Sequence, residues 1–185
     1  VNRDDLKDGG ASQFKAVAEE LKKVMPESEY EFLIPDFNGK LEPLITTLES
    51  RPAVLNHNLE TVRRLTPEVR SKAQFDRSIQ VLVNAKTYGD AQTKTGLMLG
   101  LGETEDELKE TFDDVAKAEV NILTMGQYLR PSEKHLEVQR YLPEEEFEQL
   151  KILAQNAGIK TVYSGPFVRS SFHAGEIAAL SKTKF

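Results

Sequence analysis

Two spacings of apolar residues run along this chain. Phe14, Val17, Ala18, Leu21 and Val24 recur every three or four positions, the period of one helix face. They predict a helix over 12–24 with Ser12 as its N-cap. Pro26 and Ser28 break it. Short apolar runs of a second kind follow at Tyr30–Ile34, Ala53–Asn56, Thr93–Leu99, Asn121–Met125 and Lys160–Ser164. Each is bounded by turn residues and reads as a buried strand. Helical patterns lie between them, over Leu41–Glu49, Phe75–Thr87, Glu105–Ala118 and Pro143–Asn156, with a helical turn at Glu60–Leu65 before Pro67. The segment Phe37-Asn38-Gly39 is a turn, and the tail after Leu180 is expected to fray.

Strands that alternate with helices predict parallel βα units, in a barrel or an open doubly wound sheet. Polar residues gather where the strands end: Asn2 to Asp5, Pro35-Asp36, Asn56-His57-Asn58, Gly100 to Glu103, Gly126-Gln127-Tyr128, and Ser164-Gly165-Pro166. Such a rim favours a barrel, whose chemistry sits at the C-terminal ends of its strands. Four to five strands are too few to close the usual eight. The expected fold class is therefore α/β, a partial βα barrel. Val1 reads as the last residue of a strand whose body lies upstream, so the chain is expected to begin inside a fold.

The composition narrows the chemistry. The chain has 185 residues, 39% hydrophobic, enough for one domain with a core. A net charge of −6 and a pI near 5.2 argue against a nucleic-acid partner. No apolar run is long enough to cross a bilayer, so a soluble intracellular protein is expected. There are no cysteines. That excludes disulfides, a thiol nucleophile, and any iron–sulfur or zinc site built from this chain's own thiolates.

The most informative stretch is TKTGLMLGLGET, residues 93–104. A buried strand ends there in Gly100 and Gly102 and opens onto a helix. The glycines let backbone approach a bound molecule, free N–H groups can point at it, and Glu103 could hold a ribose hydroxyl or an amine. The alternative is an ordinary strand-to-helix turn with Thr104 as N-cap and Glu107 as its capping-box partner. Lys94 sits among apolar neighbours. A strand lysine of this kind can snorkel to solvent. His57, His135 and His173 show no metal-ligand spacing and are read as no metal site.

Seven motifs in order, VNRDDLKDGGA, IPDFNG, NHNLETV, TKTGLMLGLGET, ILTMGQYLRP, HLEVQRYLPEEEF and SGPFVRSSFHA, resemble the lipoyl synthases, a family of radical S-adenosylmethionine (SAM) enzymes. The resemblance covers nearly the whole chain, from Val1 to about Ala174. It implies one domain over 1–185: a partial radical SAM barrel over about 1–160 and a C-terminal extension over about 161–185 that carries the RSS motif. It implies sulfur insertion at C6 and C8 of an octanoyl chain. That chain would be borne on a lipoyl-carrier domain of the 2-oxoacid dehydrogenase complexes or on the glycine cleavage H protein. The location implied is cytoplasmic, or mitochondrial in a eukaryote. The cofactors implied are SAM and two 4Fe–4S clusters, each held by a three-cysteine motif. Both motifs would lie in a missing N-terminal segment, so no cluster and no turnover are expected on this chain alone.

Carried onto this sequence, the resemblance places Asn56, Asn58, Glu60, Lys94, Gly100, Gly102, Glu103 and Asp4 around SAM. Asn58 and Asn56 could equally be loop caps. Ser170 of Arg169-Ser170-Ser171 is implied as an oxygen ligand of one cluster, with Ser171 as the alternative and Arg169 steadying it. Phe172 stands where the family usually has tyrosine. Gln127, Tyr128 and Arg130 are expected along the octanoyl channel or beside that cluster. Two rival readings remain: a cluster-free SAM-binding or partner subunit on the same scaffold, and an aldolase-type barrel with Lys94 as Schiff-base amine.

Overall fold

A computed structural model describes Arg3 and residues 5–171. Five parallel strands form one sheet in the order β1-β2-β3-β4-β5: Glu31–Leu33, Val54–Asn56, Gln92–Leu99, Ile122–Gln127 and Thr161–Ser164. Each strand pairs with its neighbour in sequence. An open doubly wound sheet reverses its order at a switch point. This one does not, so every crossover steps the same way and the sheet is an arc of a barrel. The fold is the expected α/β class, a partial βα barrel. Strand β5, expected in the C-terminal extension, is a full member of the sheet.

The helices are α1 (Ala11–Val24), α2 (Leu41–Leu48), α3 (Thr66–Val69), α4 (Phe75–Tyr88), α5 (Glu105–Lys117) and α6 (Glu144–Asn156). Alternate strand residues meet them. Phe32 and Leu55 join Ala18 of α1, Leu44 of α2 and Val81 of α4. Leu97, Leu99, Leu123, Met125 and Val162 join Leu82, Phe112, Val115 and Phe147. The residues between them in register, such as Asn56, Lys94 and Ile122, share the other face. There the apolar contacts shrink to Val54 and Ile122, with Tyr163 beside them.

Several boundaries differ from the sequence expectation. Ser12 is not the N-cap of α1. The helix starts at Ala11 behind Gly10, whose φ is 93°, and makes no side-chain cap bond from that position. Asp8 does the capping from upstream. Its carboxylate accepts from the amides of Gly10 (3.0 Å) and Ser12 (2.8 Å); the Ser12 side chain first, and then these amides, hold its pKa at about 2. The helical turn expected at 60–65 begins only at Arg63. Glu60 is instead pinned to β3: its amide donates to the Gly96 carbonyl (2.9 Å) and its carbonyl accepts from the Met98 amide (2.8 Å).

Candidate functional site

The C-terminal ends of β2, β3 and β4 open into a cavity of about 360 Å³. Asn58 and Glu60 stand on one side, Arg169 and Ser170 on the other, with Gly96, Met98, Thr124 and Gly126 as its floor. Four residues singled out from sequence thus meet in one place.

Local backbone explains how Glu60 gets there. Its φ is 70°, a left-handed conformation that costs a non-glycine residue about 1 kcal/mol or more. The two backbone bonds to β3 hold it in that state. Its carboxylate accepts from Asn58 Nδ2 (3.1 Å), and burial pushes its pKa above the ordinary value. Asn58 is itself buried, its Oδ1 has no partner, and its carbonyl accepts from Arg70 Nη1 (2.8 Å). That unpaired Oδ1 would lie 3.0 Å from a Cβ at residue 96, so the glycine there leaves it room. A buried acceptor without a donor is costly and points to a missing N–H or O–H.

Asn56 and Lys94 lie a row deeper on the same face and do not line the cavity. Lys94 is 0% exposed and its ammonium meets Glu31 at 2.9 Å. Asn56 Nδ2 donates to the other oxygen of Glu31 (3.0 Å). Lys94 therefore neither snorkels nor faces the mouth. The Lys94 amine is fully buried against Glu31, out of reach of a carbonyl substrate at the mouth, which a Schiff base needs.

The glycine-rich turn is self-contained. Glu103 accepts from the amides of Gly100 (2.6 Å) and Leu101 (2.8 Å), the groups expected to face a ligand. The Gly100 carbonyl accepts from the amide of Gln139 (2.8 Å). A side chain at 100 would collide with the Arg140 carbonyl and Gln127 Nε2. The capping box of the alternative reading is present, with Thr104 and Glu107 bonded reciprocally. Arg64 clamps it from outside, donating to Glu107 (2.6 Å) and to the Gly102 carbonyl (2.8 Å) and holding the Glu107 pKa near 2.

The other candidates separate. Gln127 lines the cavity, yet its amide is spent on the carbonyls of Leu99, Tyr128 and Arg140 and the amide of Leu142. Tyr128 donates to the Leu136 carbonyl (3.0 Å) and Arg130 to that of His135 (3.0 Å). All three sew the 128–142 loop together. Arg169 Nη1 folds back on the Val168 carbonyl (2.7 Å). His57 is buried between the Ile34 carbonyl and the Ser78 hydroxyl, both at 2.9 Å. A carbonyl only accepts, so Nδ1 carries the proton and Nε2 accepts from Ser78. Asp4, Phe172 and His173 lie outside the described residues. Sequence reasoning missed Gly96 and Glu31, and it named Gly126 only as part of the rim. Small residues alternating along β3 and β4 were the available signal.

No family model matches the chain. Curated relatives do. A lipoyl synthase of Pyrobaculum calidifontis is 51% identical over 179 residues, covering 95% of this chain and 61% of the relative. One of Leptospira interrogans is 48% identical over 176 residues, covering 95% and 58%. Over that span the chain is similar to the lipoyl synthases. It spans about 60% of the length of the lipoyl synthases it matches. Among solved structures, the methylornithine synthase PylB superposes with a TM-score of 0.59 at 14% identity, over 92% of this chain and 61% of that one. At that identity the likeness is one of fold, and it matches the barrel arc seen here.

Proposed function

We propose that this chain supplies the nucleoside-binding wall of a lipoyl synthase, an enzyme that inserts two sulfurs at C6 and C8 of a protein-bound octanoyl chain. The observation that carries the reading is the cavity that brings Asn58, Glu60, Arg169 and Ser170 together at the strand ends. SAM fits this donor set. Bound, it would supply the adenosyl radical that takes hydrogen from the substrate. Asn58 Oδ1 accepts one of its N–H or O–H groups. Glu60, once ionised, accepts from ribose hydroxyls or balances its positive charge. The floor glycines let the ligand lie against backbone. Gly100, Gly102 and Glu103 serve as the rigid turn behind that floor, and the Lys94–Glu31–Asn56 group closes the interior below it. Asp4 stays a candidate for the amine of SAM.

The residues present do not fit an iron–sulfur cluster. There is no thiolate among the 185 residues, and Ser170 alone offers one oxygen. Cysteines for both clusters would have to come from outside this chain. On its own the chain performs no turnover. Octanoylated lipoyl-carrier domains are the proposed partners, and the proposed location is cytoplasmic, or mitochondrial in a eukaryote. Among the described residues no helix is long and apolar enough to cross a membrane.

Two measurements test this. Iron and sulfide are assayed after anaerobic reconstitution of this polypeptide; near-stoichiometric four-iron loading overturns the reading. Binding of SAM is then followed by equilibrium dialysis. Asn58→Ala should weaken it about tenfold, as loss of one hydrogen bond to a charged or buried group does. Unchanged binding in that variant, or none in the parent at millimolar SAM, also counts against it.

A further inference from the structure

Two straps of chain cross the mouth of the strands, and each crosses over a glycine. Residues 139–140 pass over Gly100, and residues 165–170 pass over Gly126 of β4. The two glycines are there for different reasons. Gly100 has a φ of 97°, so its backbone demands glycine. Gly126 lies in regular strand, paired with Met98, and has no such demand. What it offers is space. A Cβ there would overlap the Val168 carbonyl oxygen and stand 3.0 Å from Arg169 Nη1.

The strap itself is tight. The Gly165 amide donates to the Met125 carbonyl (3.1 Å), and the Val168 amide donates back to the Gly165 carbonyl (3.1 Å). Arg169 Nη1 bridges the carbonyls of Val168 (2.7 Å) and Pro166 (3.3 Å). Val168 is buried while Phe167 at the apex is 82% exposed. The strap is therefore anchored at Met125 and seated on Gly126, and it delivers Arg169 and Ser170 into the cavity immediately afterwards.

We infer that Gly126 is a positioning residue: its missing side chain lets the Val168 carbonyl settle onto β4 and thereby sets how deep Arg169 and Ser170 stand opposite Asn58 and Glu60. The value of that depth for chemistry rests on the oxygen-ligand role that the resemblance implies for Ser170; the seating itself does not. A methyl at 126 meets backbone oxygen, which no rotamer change can move aside, so the strap must lift.

The absence of cysteine makes the test clean, because Ser170→Cys introduces a single thiol. Its alkylation by iodoacetamide is timed with and without Gly126→Ala, beside amide exchange of the 165–171 segment. Adding Gly126→Ala should speed both by about tenfold or more and leave exchange in β3 and α5 unchanged. Gly165→Ala is the control. Its Cβ would meet Val168 Cγ2 at an ordinary 3.5 Å, and its effect should stay within about twofold. Binding of 5′-deoxyadenosine to the parent chain is measured separately, as the readout of Asn58 and Glu60. The inference is overturned if Gly126→Ala changes alkylation by less than about twofold. It is also overturned if exchange rises equally in β3 and α5, or if cooperative melting is lost. A parent that fails to bind 5′-deoxyadenosine counts against the proposed function alone.

Discussion

The two faces of the sheet obey different rules. On the helix-covered face, Leu55, Leu97, Leu99, Leu123 and Met125 are buried and apolar, and they meet matching residues of α4, α5 and α6. On the inner face, positions one residue away are Glu31, Asn56, Lys94, Gly96, Thr124 and Gly126. The first face stores stability by removing apolar surface from water. The second gives up that gain for a charged pair, an unpaired amide oxygen and bare backbone. A one-residue step along a strand separates the two because side chains alternate.

The contrast is tested most severely on the packed face. Phe112→Ala should cost about 4 kcal/mol in urea unfolding, the usual loss for a buried ring; a loss under about 1 kcal/mol would mean that α5 is not part of the core. On the inner face, Lys94→Met should cost about 3 kcal/mol, because it strands Glu31 beside a buried neutral group. Adding Glu31→Leu should recover much of that loss. Equal stability of the single and double variants would show that the pair is not coupled.

His57 gives a pH-dependent probe at the edge between the faces. Burial depresses its pKa from 6.5 to about 4, while the Ile34 carbonyl and Asp36 oppose the shift and Arg70 and Arg77 assist it. In that interval the unfolded chain binds the proton and the folded chain does not. Stability from this group is therefore complete above pH 6.5 and falls as pH drops toward 4, by about 3 kcal/mol in all. Unfolding curves of the parent and His57→Gln at both ends of the interval should differ by that slope. Parallel pH profiles would show that the imidazole is not buried neutral. The smallest effect is expected outside both faces. Thr104→Ala should cost about 1 kcal/mol through loss of the capping box, with bound adenosine unaffected.

All five strands were legible because apolar runs of the right length lie between turn residues, and the parallel class followed from their alternation with helices. The cap of α1 was not, because Asp8 acts from three residues before Ala11 across two glycines in positive φ. Asn58, Glu60, Arg169 and Ser170 were found as separate motifs. The inward turn of Glu103 was not legible, since the same carboxylate that suits a ligand also closes the turn onto its own amides.

The sequence alone determined the strand and helix periods, the capping box at Thr104, and the absence of any thiolate. These depend on neighbours within a few residues or on composition. The tertiary structure decided which side of each strand meets the helices and that Lys94 is tied to Glu31 across 63 positions. It also decided that the Ser170 strap rests on Gly126 opposite Glu60. Those facts come from strand register and from the exclusion of two atoms from one space, which no local pattern records.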